Sequence, residues 1–149
     1  MSRTSAIFLA VLLALILNLP SSLTSTAQVP PGPELVSLEE AEILVYVLPE
    51  AQQVRRQGMD IGSELQTNNK LNQDDFYTFW VINTKRDCAS CSVTIGYFSV
   101  NKHTADLWDT SNMQLVKSTE IEGIQKIIRK ARRIDADTIR EFGSRAPNG

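Results

Sequence analysis

Phe76-Tyr77-Thr78-Phe79-Trp80-Val81-Ile82-Asn83-Thr84 is the stretch on which the reading of the fold turns. Aromatic and β-branched residues fill it, as in a pleated, packed strand. Phe76, Thr78, Trp80 and Ile82 share one face, and Tyr77, Phe79 and Val81 share the other. A strand apolar on both faces sits centrally or is covered on both sides. Ser92–Val100 predicts a second strand, with Gly96 inside it marking a bulge or a close approach. Ala105–Asp109 predicts a third, carrying Leu107 and Trp108, after a turn at Asn101–Thr104. The three segments predict an antiparallel meander. Ile61–Gln66 adds a short candidate strand, and polar Thr67–Asp75 reads as a loop.

Helical patterns flank this centre. Ser37 with Glu40 has the spacing of a capping box, in which each side chain accepts from a backbone N–H that the helix leaves unpaired. Leu38, Ala41, Leu44, Val45, Leu48 and Ala51 then recur at three and four, which predicts a helix over Ser37–Gln57. Pro49 removes one backbone donor and clashes with the Val45 carbonyl, so it kinks or splits that helix. Gly58 is a fitting stop. Thr119 with Glu122 predicts a second box, and Ile121, Ile124, Ile128, Ala131 and Ile134 predict one closing helix over Thr119–Phe142. The expected architecture is α+β: an antiparallel β-meander packed against an N-terminal and a C-terminal helix.

The ends of the chain suggest compartment. Arg3, the apolar run Ala6–Leu17, Pro20 and the small residues Ser25-Thr26-Ala27 have the layout of a secretory signal peptide cut before Gln28. The run is shorter than the roughly 20 apolar residues of a spanning helix; retention as an uncut anchor is the alternative. The expected organisation is a signal peptide at 1–27, a proline-rich tether at 28–36, one domain at 37–143 and a disordered tail at 144–149. The chain holds 15 basic and 17 acidic residues. Loss of Arg3 with the leader makes the acidic excess one charge larger, which argues against nucleic acid as a partner. No N-x-S/T sequon is present. The expected location is periplasmic or extracellular, with contact at a membrane surface left open.

Few side chains have the spacing of a catalytic site. Cys88 and Cys91 are the two cysteines, and export favours a bridge between them. A redox pair needs a thiolate at a helix N-terminus, whereas strand residues follow Cys91, so a structural disulfide across the hairpin loop is the expectation. Two cysteines and His103, the single histidine, fall one ligand short of a closed zinc set, and no metal or cofactor is expected. His103 lies in the predicted turn and reads as an exposed polar residue. There is no G-x-S-x-G elbow and no glycine-rich phosphate loop. Glu39-Glu40 suits a helix start, and Asp74-Asp75 reads as a solvated loop end. Lys126, Arg129, Lys130, Arg132 and Arg133 read as a solvated helix face, with an acidic partner or anionic lipid as the alternative. The aromatic residues are more numerous than one covered face needs. Tyr77, Phe79, Trp80, Tyr97 and Trp108 are therefore the candidates for contact with a partner.

Gly96–Trp108, G-Y-F-S-V-N-K-H-T-A-D-L-W, resembles the strand-turn-strand of PepSY-type domains. Asn101 and Thr104 match that pattern, while Ala105 stands where glycine is usual. The helix-plus-sheet order is also similar to cystatin-like folds. Either resemblance implies a non-catalytic exported module that binds or inhibits another protein, often a peptidase, and neither transfers a catalytic residue. The expected function is thus non-catalytic binding of another protein, of inhibitor or immunity type. The alternatives are thiol–disulfide chemistry at Cys88 and Cys91 and a structural, envelope-associated domain.

Overall fold

A computed structural model describes residues 31–67, 74–85, 88–143 and 145–147, with the side chains of 84–92 outside the description. The expected signal peptide and most of the polar 67–75 loop fall outside the described residues. The architecture is α+β. Helices α1 (Leu38–Tyr46) and α2 (Pro49–Arg56) precede strands β1 (Asp60–Leu65), β2 (Phe76–Lys85), β3 (Cys88–Asn101), β4 (Leu107–Asp109) and β5 (Gln114–Leu115). Helices α3 (Thr119–Ala131) and α4 (Ala136–Phe142) close the chain. The strands form one antiparallel sheet in the order β1-β2-β3-β4-β5.

Helix α1 starts at the box that its sequence encodes. Glu40 N–H donates to Ser37 Oγ at 3.3 Å, and Ser37 N–H donates to Glu40 Oε2 at 2.8 Å. Ala41, Leu44, Val45 and Leu48 are fully buried. Pro49 splits the helical run and becomes the first residue of α2, a position where its missing N–H leaves no bond unmade. Gly58 follows α2 at φ +79°, a left-handed conformation that glycine adopts without strain.

Cross-strand register separates the sheet's two faces. Phe79 lies opposite Phe98, Tyr77 opposite Val100, and Val100 opposite Leu107. Their face joins α1 and α3 in a single core of Leu44, Val45, Leu48, Phe79, Val81, Phe98, Val100, Leu107, Ile121 and Ile128. The register slips between Val81 and Ile82, where the partner steps from Gly96 to Thr94. The glycine thus sits at a bulge. It also permits a close approach, since a Cβ there would lie 2.9 Å from the Phe98 ring.

Four elements differ from the sequence-based expectation. Strand β3 begins at Cys88, four residues before Ser92, because Cys88 already pairs with Lys85. The edge strand β5 is two residues long and adds to the meander, and β4 begins at Leu107 rather than Ala105, which stays in the turn at φ +61°; β1 is the short strand expected near Ile61–Gln66. The closing helix is two helices. Ser118, not Thr119, caps α3 by accepting from Ile121 N–H at 3.2 Å. Arg133 turns the chain at φ +56°, and Asp135 restarts it as the cap of α4, accepting from Thr138 N–H at 2.8 Å.

The domain also reaches beyond 37–143. Val36 is buried and its N–H donates to the Lys102 carbonyl at 2.8 Å, while Glu34 N–H donates to the Arg132 carbonyl at 2.8 Å. The last residues of the expected tether are therefore docked. At the other end Arg145 stacks over the Phe142 ring at 4.5 Å, and Pro147 is buried, within a stretch read from sequence as disordered.

Candidate functional site

The sheet face opposite the helical core holds the aromatic candidates that remain accessible. Register places Glu64, Trp80 and Tyr97 in one row across β1, β2 and β3. Gly62, Ile82 and Thr94 form the next row. Thr78, Ser99, Trp108 and Leu115 form the row on the other side. Exposure changes along this face. Phe76, Thr78, Ser99 and Trp108 are buried, Trp80 and Ile82 are half-buried, and Tyr97 is 39% exposed.

The geometry holds the row in place. Trp80 Nε1–H donates to Thr94 Oγ1 at 3.0 Å, fixing the indole along the strands. Thr78 Oγ1 and Ser99 Oγ share a hydrogen bond of 2.7 Å beneath it, so both buried hydroxyls are satisfied. Aromatic side chains held this way offer contact area at little cost in conformational entropy.

The five candidates thus divide. Trp80 and Tyr97 lie together on the accessible part of the sheet face opposite α1 and α3. Trp108 shares that face but is only 8% exposed. Its Nε1 is a buried donor without an acceptor among the described residues. Tyr77 and Phe79 face the helices. Phe79 is fully buried in the core and presents no surface to a partner, because α1 and α3 pack on its side of the sheet. Tyr77 is half-buried, with Lys102 Nζ 4.8 Å from its ring centroid. Glu64 was not among the candidates. Its signal is the alternation of Asp60, Gly62 and Glu64 against Ile61, Ser63 and Leu65, legible only once β1 is known to pair with β2.

The arginines of the closing helices are not a free basic face. Arg129 Nε donates to the Thr104 carbonyl at 2.7 Å and Nη2 to Asp106 Oδ1 at 2.8 Å. Arg132 Nε donates to both Glu40 oxygens at 3.1 and 2.9 Å, and Arg133 pairs with Glu34. The hydrogen bond and charge of Glu40 raise the Arg132 pKa further, and the charge of Arg133 holds Glu34 below the ordinary carboxylate range. Among the described residues, Lys126 and Lys130 of that run are exposed and have no such pair. An open groove of about 620 Å³ beside α3 is lined by Asp106, Lys117, Glu122, Gln125, Lys126 and Arg129, among others. The Arg129–Asp106 pair closes on itself there.

His103 differs from its expected exposed setting. Its Nε2 lies 2.9 Å from Asp75 Oδ1, and its ring stacks on Phe142 at 4.1 Å and 11°. Among the described residues no nucleophilic side chain meets the imidazole, so the contacts anchor the turn to the chain end. The Asn101 carboxamide completes that anchor: its oxygen accepts from His103 and Thr104 N–H at 2.8 and 3.2 Å, and its Nδ2 donates to the Phe142 carbonyl at 3.2 Å. Among the described residues no group of three His, Cys, Asp or Glu side chains is placed to hold a metal ion. No helix among them is long and apolar enough to cross a membrane. The Cys88 and Cys91 side chains lie outside the described residues, and with them the expected disulfide.

A chain in a solved type VI secretion system effector–immunity complex from Pseudomonas protegens is similar to this one. The TM-score is 0.52 at 20% sequence identity, covering 73% of this chain and 87% of that chain. The likeness is one of fold. No family model and no curated protein matches this chain.

Proposed function

We propose that this chain is an exported, non-catalytic module that binds another protein, of immunity or inhibitor type, through the sheet face opposite α1 and α3. The observation that carries the reading is the Trp80–Tyr97 pair. It consists of two adjacent aromatic side chains, one locked by a hydrogen bond, on the sheet face opposite α1 and α3. Aromatic residues of this kind dominate binding energy at protein interfaces, and apolar patches left accessible on small domains mark interaction sites. The fold similarity to a chain of an effector–immunity complex supports the same class of role. So do the sequence resemblances to PepSY-type and cystatin-like modules. The signal-peptide pattern and a structural Cys88–Cys91 disulfide belong to this proposal.

Affinity capture from the native envelope and medium tests it, using the wild-type chain and a Trp80→Ala/Tyr97→Ala variant. The wild type should retain a protein that the variant loses, with circular dichroism unchanged between them. Loss of two central aromatic anchors weakens such interfaces by roughly 30-fold or more. Equal retention by both chains, or no specific protein with either, counts against the proposal.

A further inference from the structure

We infer that the Glu64–Trp80–Tyr97 row receives an arginine side chain of the bound protein. This inference rests on the proposed binding role of the same face and specifies the chemistry of its occupant.

Charge comes first. The described side chains on this face are those of Asp60, Glu64, Phe76, Thr78, Trp80, Ile82, Thr94, Tyr97, Ser99, Asn101, Trp108 and Leu115, as the register assigns them. None is basic, and Glu64 is the carboxylate beside the aromatic pair. Glu64 is exposed, and its carboxylate has no ion-pair or hydrogen-bond partner among the described residues. The basic side chains that line the opposite side of the molecule are largely spent on internal pairs, as Arg129, Arg132 and Arg133 show. The face is therefore complementary to a cation.

Geometry then selects the kind of cation. Directly opposed residues of an antiparallel pair keep their Cβ atoms about 5 Å apart. Glu64, Trp80 and Tyr97 thus form a carboxylate beside two aromatic rings along one line. A guanidinium is planar, stacks on aromatic faces and presents paired donors to a carboxylate, whereas an ammonium is a compact, strongly hydrated point charge. Cation–π attraction is strongest at tryptophan. The Trp80 indole is already fixed by its bond to Thr94, so the ring needs little ordering when the cation arrives. β1 is an edge strand, and Glu64 therefore meets the partner at the open side of the sheet. The row sets an exposed carboxylate at the sheet edge beside two aromatic side chains.

Nuclear magnetic resonance of the isotope-labelled chain tests this with two probes, an acetylated, amidated Gly-Arg-Gly peptide and its citrulline counterpart. Citrulline keeps the planar shape and removes the charge. The arginine peptide should shift the Trp80 indole N–H and the Glu64 and Tyr97 amides in a saturable way at about millimolar concentration. The citrulline peptide should bind at least about fivefold more weakly, and Glu64→Gln should weaken the arginine peptide by a similar factor. The difference should shrink as salt is raised, as for an exposed charge pair. Equal shifts with both peptides, no saturable shift with either, or shifts centred on the Asp106–Arg129 groove would overturn the inference. Equal shifts together with a captured protein lost on Trp80→Ala/Tyr97→Ala would overturn the arginine assignment alone and leave the binding face standing. Selective arginine binding with no captured protein would support the arginine assignment and count against the wider role.

Discussion

Replacing Arg129 by methionine should lower the stability of the domain by about 3 kcal/mol. Arg129 reaches from α3 to the β3–β4 turn, donating to the Thr104 carbonyl at 2.7 Å and to Asp106 at 2.8 Å. Thr104 Oγ1–H donates to the second Asp106 oxygen at 2.7 Å, and Gln125 Nε2–H donates to the Ala105 carbonyl at 2.9 Å. The turn needs such a clamp because Ala105 sits at φ +61°, where a Cβ is strained by roughly 1–2 kcal/mol. Each hydrogen bond to a charged group is worth about 1.5–3 kcal/mol. The side chains of Arg129 and Asp106 are 26% and 14% exposed, so solvent takes part of that gain. Thr104 is fully buried, and its carbonyl would lose the arginine as a partner. About 3 kcal/mol corresponds to a fall in melting temperature of roughly 10 °C for a domain of this size. Arg129→Lys keeps the charge but not the fork, and should cost about half as much. Denaturant unfolding of Arg129→Met, Asp106→Asn and the double variant gives the coupling energy, expected at about 1 kcal/mol or more. A wild-type midpoint for Arg129→Met, or zero coupling, would refute the clamp.

Other expectations follow from the same coordinates. Phe79→Ala should cost about 3–5 kcal/mol as a large-to-small core change, measured by denaturant unfolding, and its effect on binding should track the loss of folded protein. Gly96→Ala should cost about 1–3 kcal/mol in the same assay, because the buried Phe98 ring must yield to the new methyl. Trp108→Phe should change stability by less than about 1.5 kcal/mol, since the contact area lost is offset by removing a buried donor that has no acceptor among the described residues. Acid should loosen the Glu34 contact with the arginines. The charge of Arg133 lowers the Glu34 pKa in the folded state. The contact's contribution is therefore complete above the ordinary carboxylate pKa of about 4.3 and is lost as pH falls through the lower folded value. Exchange of the Val36 amide followed down that range reads it out.

Local rules made much of this fold legible. Ser37 and Glu40 encode their own reciprocal bonds, Pro49 splits its helix by steric necessity, and Gly96 marks both a bulge and a ring contact. The turn expected at Asn101–Thr104 runs one residue further, because Ala105 takes a left-handed φ of +61° that no glycine announced. Tertiary effects hid the rest. No glycine or proline announces the break at Arg133, where Asp135 supplies a new cap. Strand β5 is too short for any periodicity. Which face of Phe76–Lys85 the helices cover depends on packing, so Tyr77 and Phe79 were indistinguishable in sequence from Trp80. The arginine run looked solvated because its acidic partners, Glu34, Glu40 and Asp106, lie far away along the chain.

Hydroxyl-radical footprinting of the captured complex tests the central claim most directly. It reads side-chain solvent access at Trp80 and Tyr97 on the sheet face opposite α1 and α3, and at Ile127 on α3, which is 69% exposed. Binding through the Trp80–Tyr97 face predicts that oxidation of Trp80 and Tyr97 falls in the complex while Ile127 is oxidised as in the free chain. Protection at Ile127 with Trp80 and Tyr97 unchanged would contradict it.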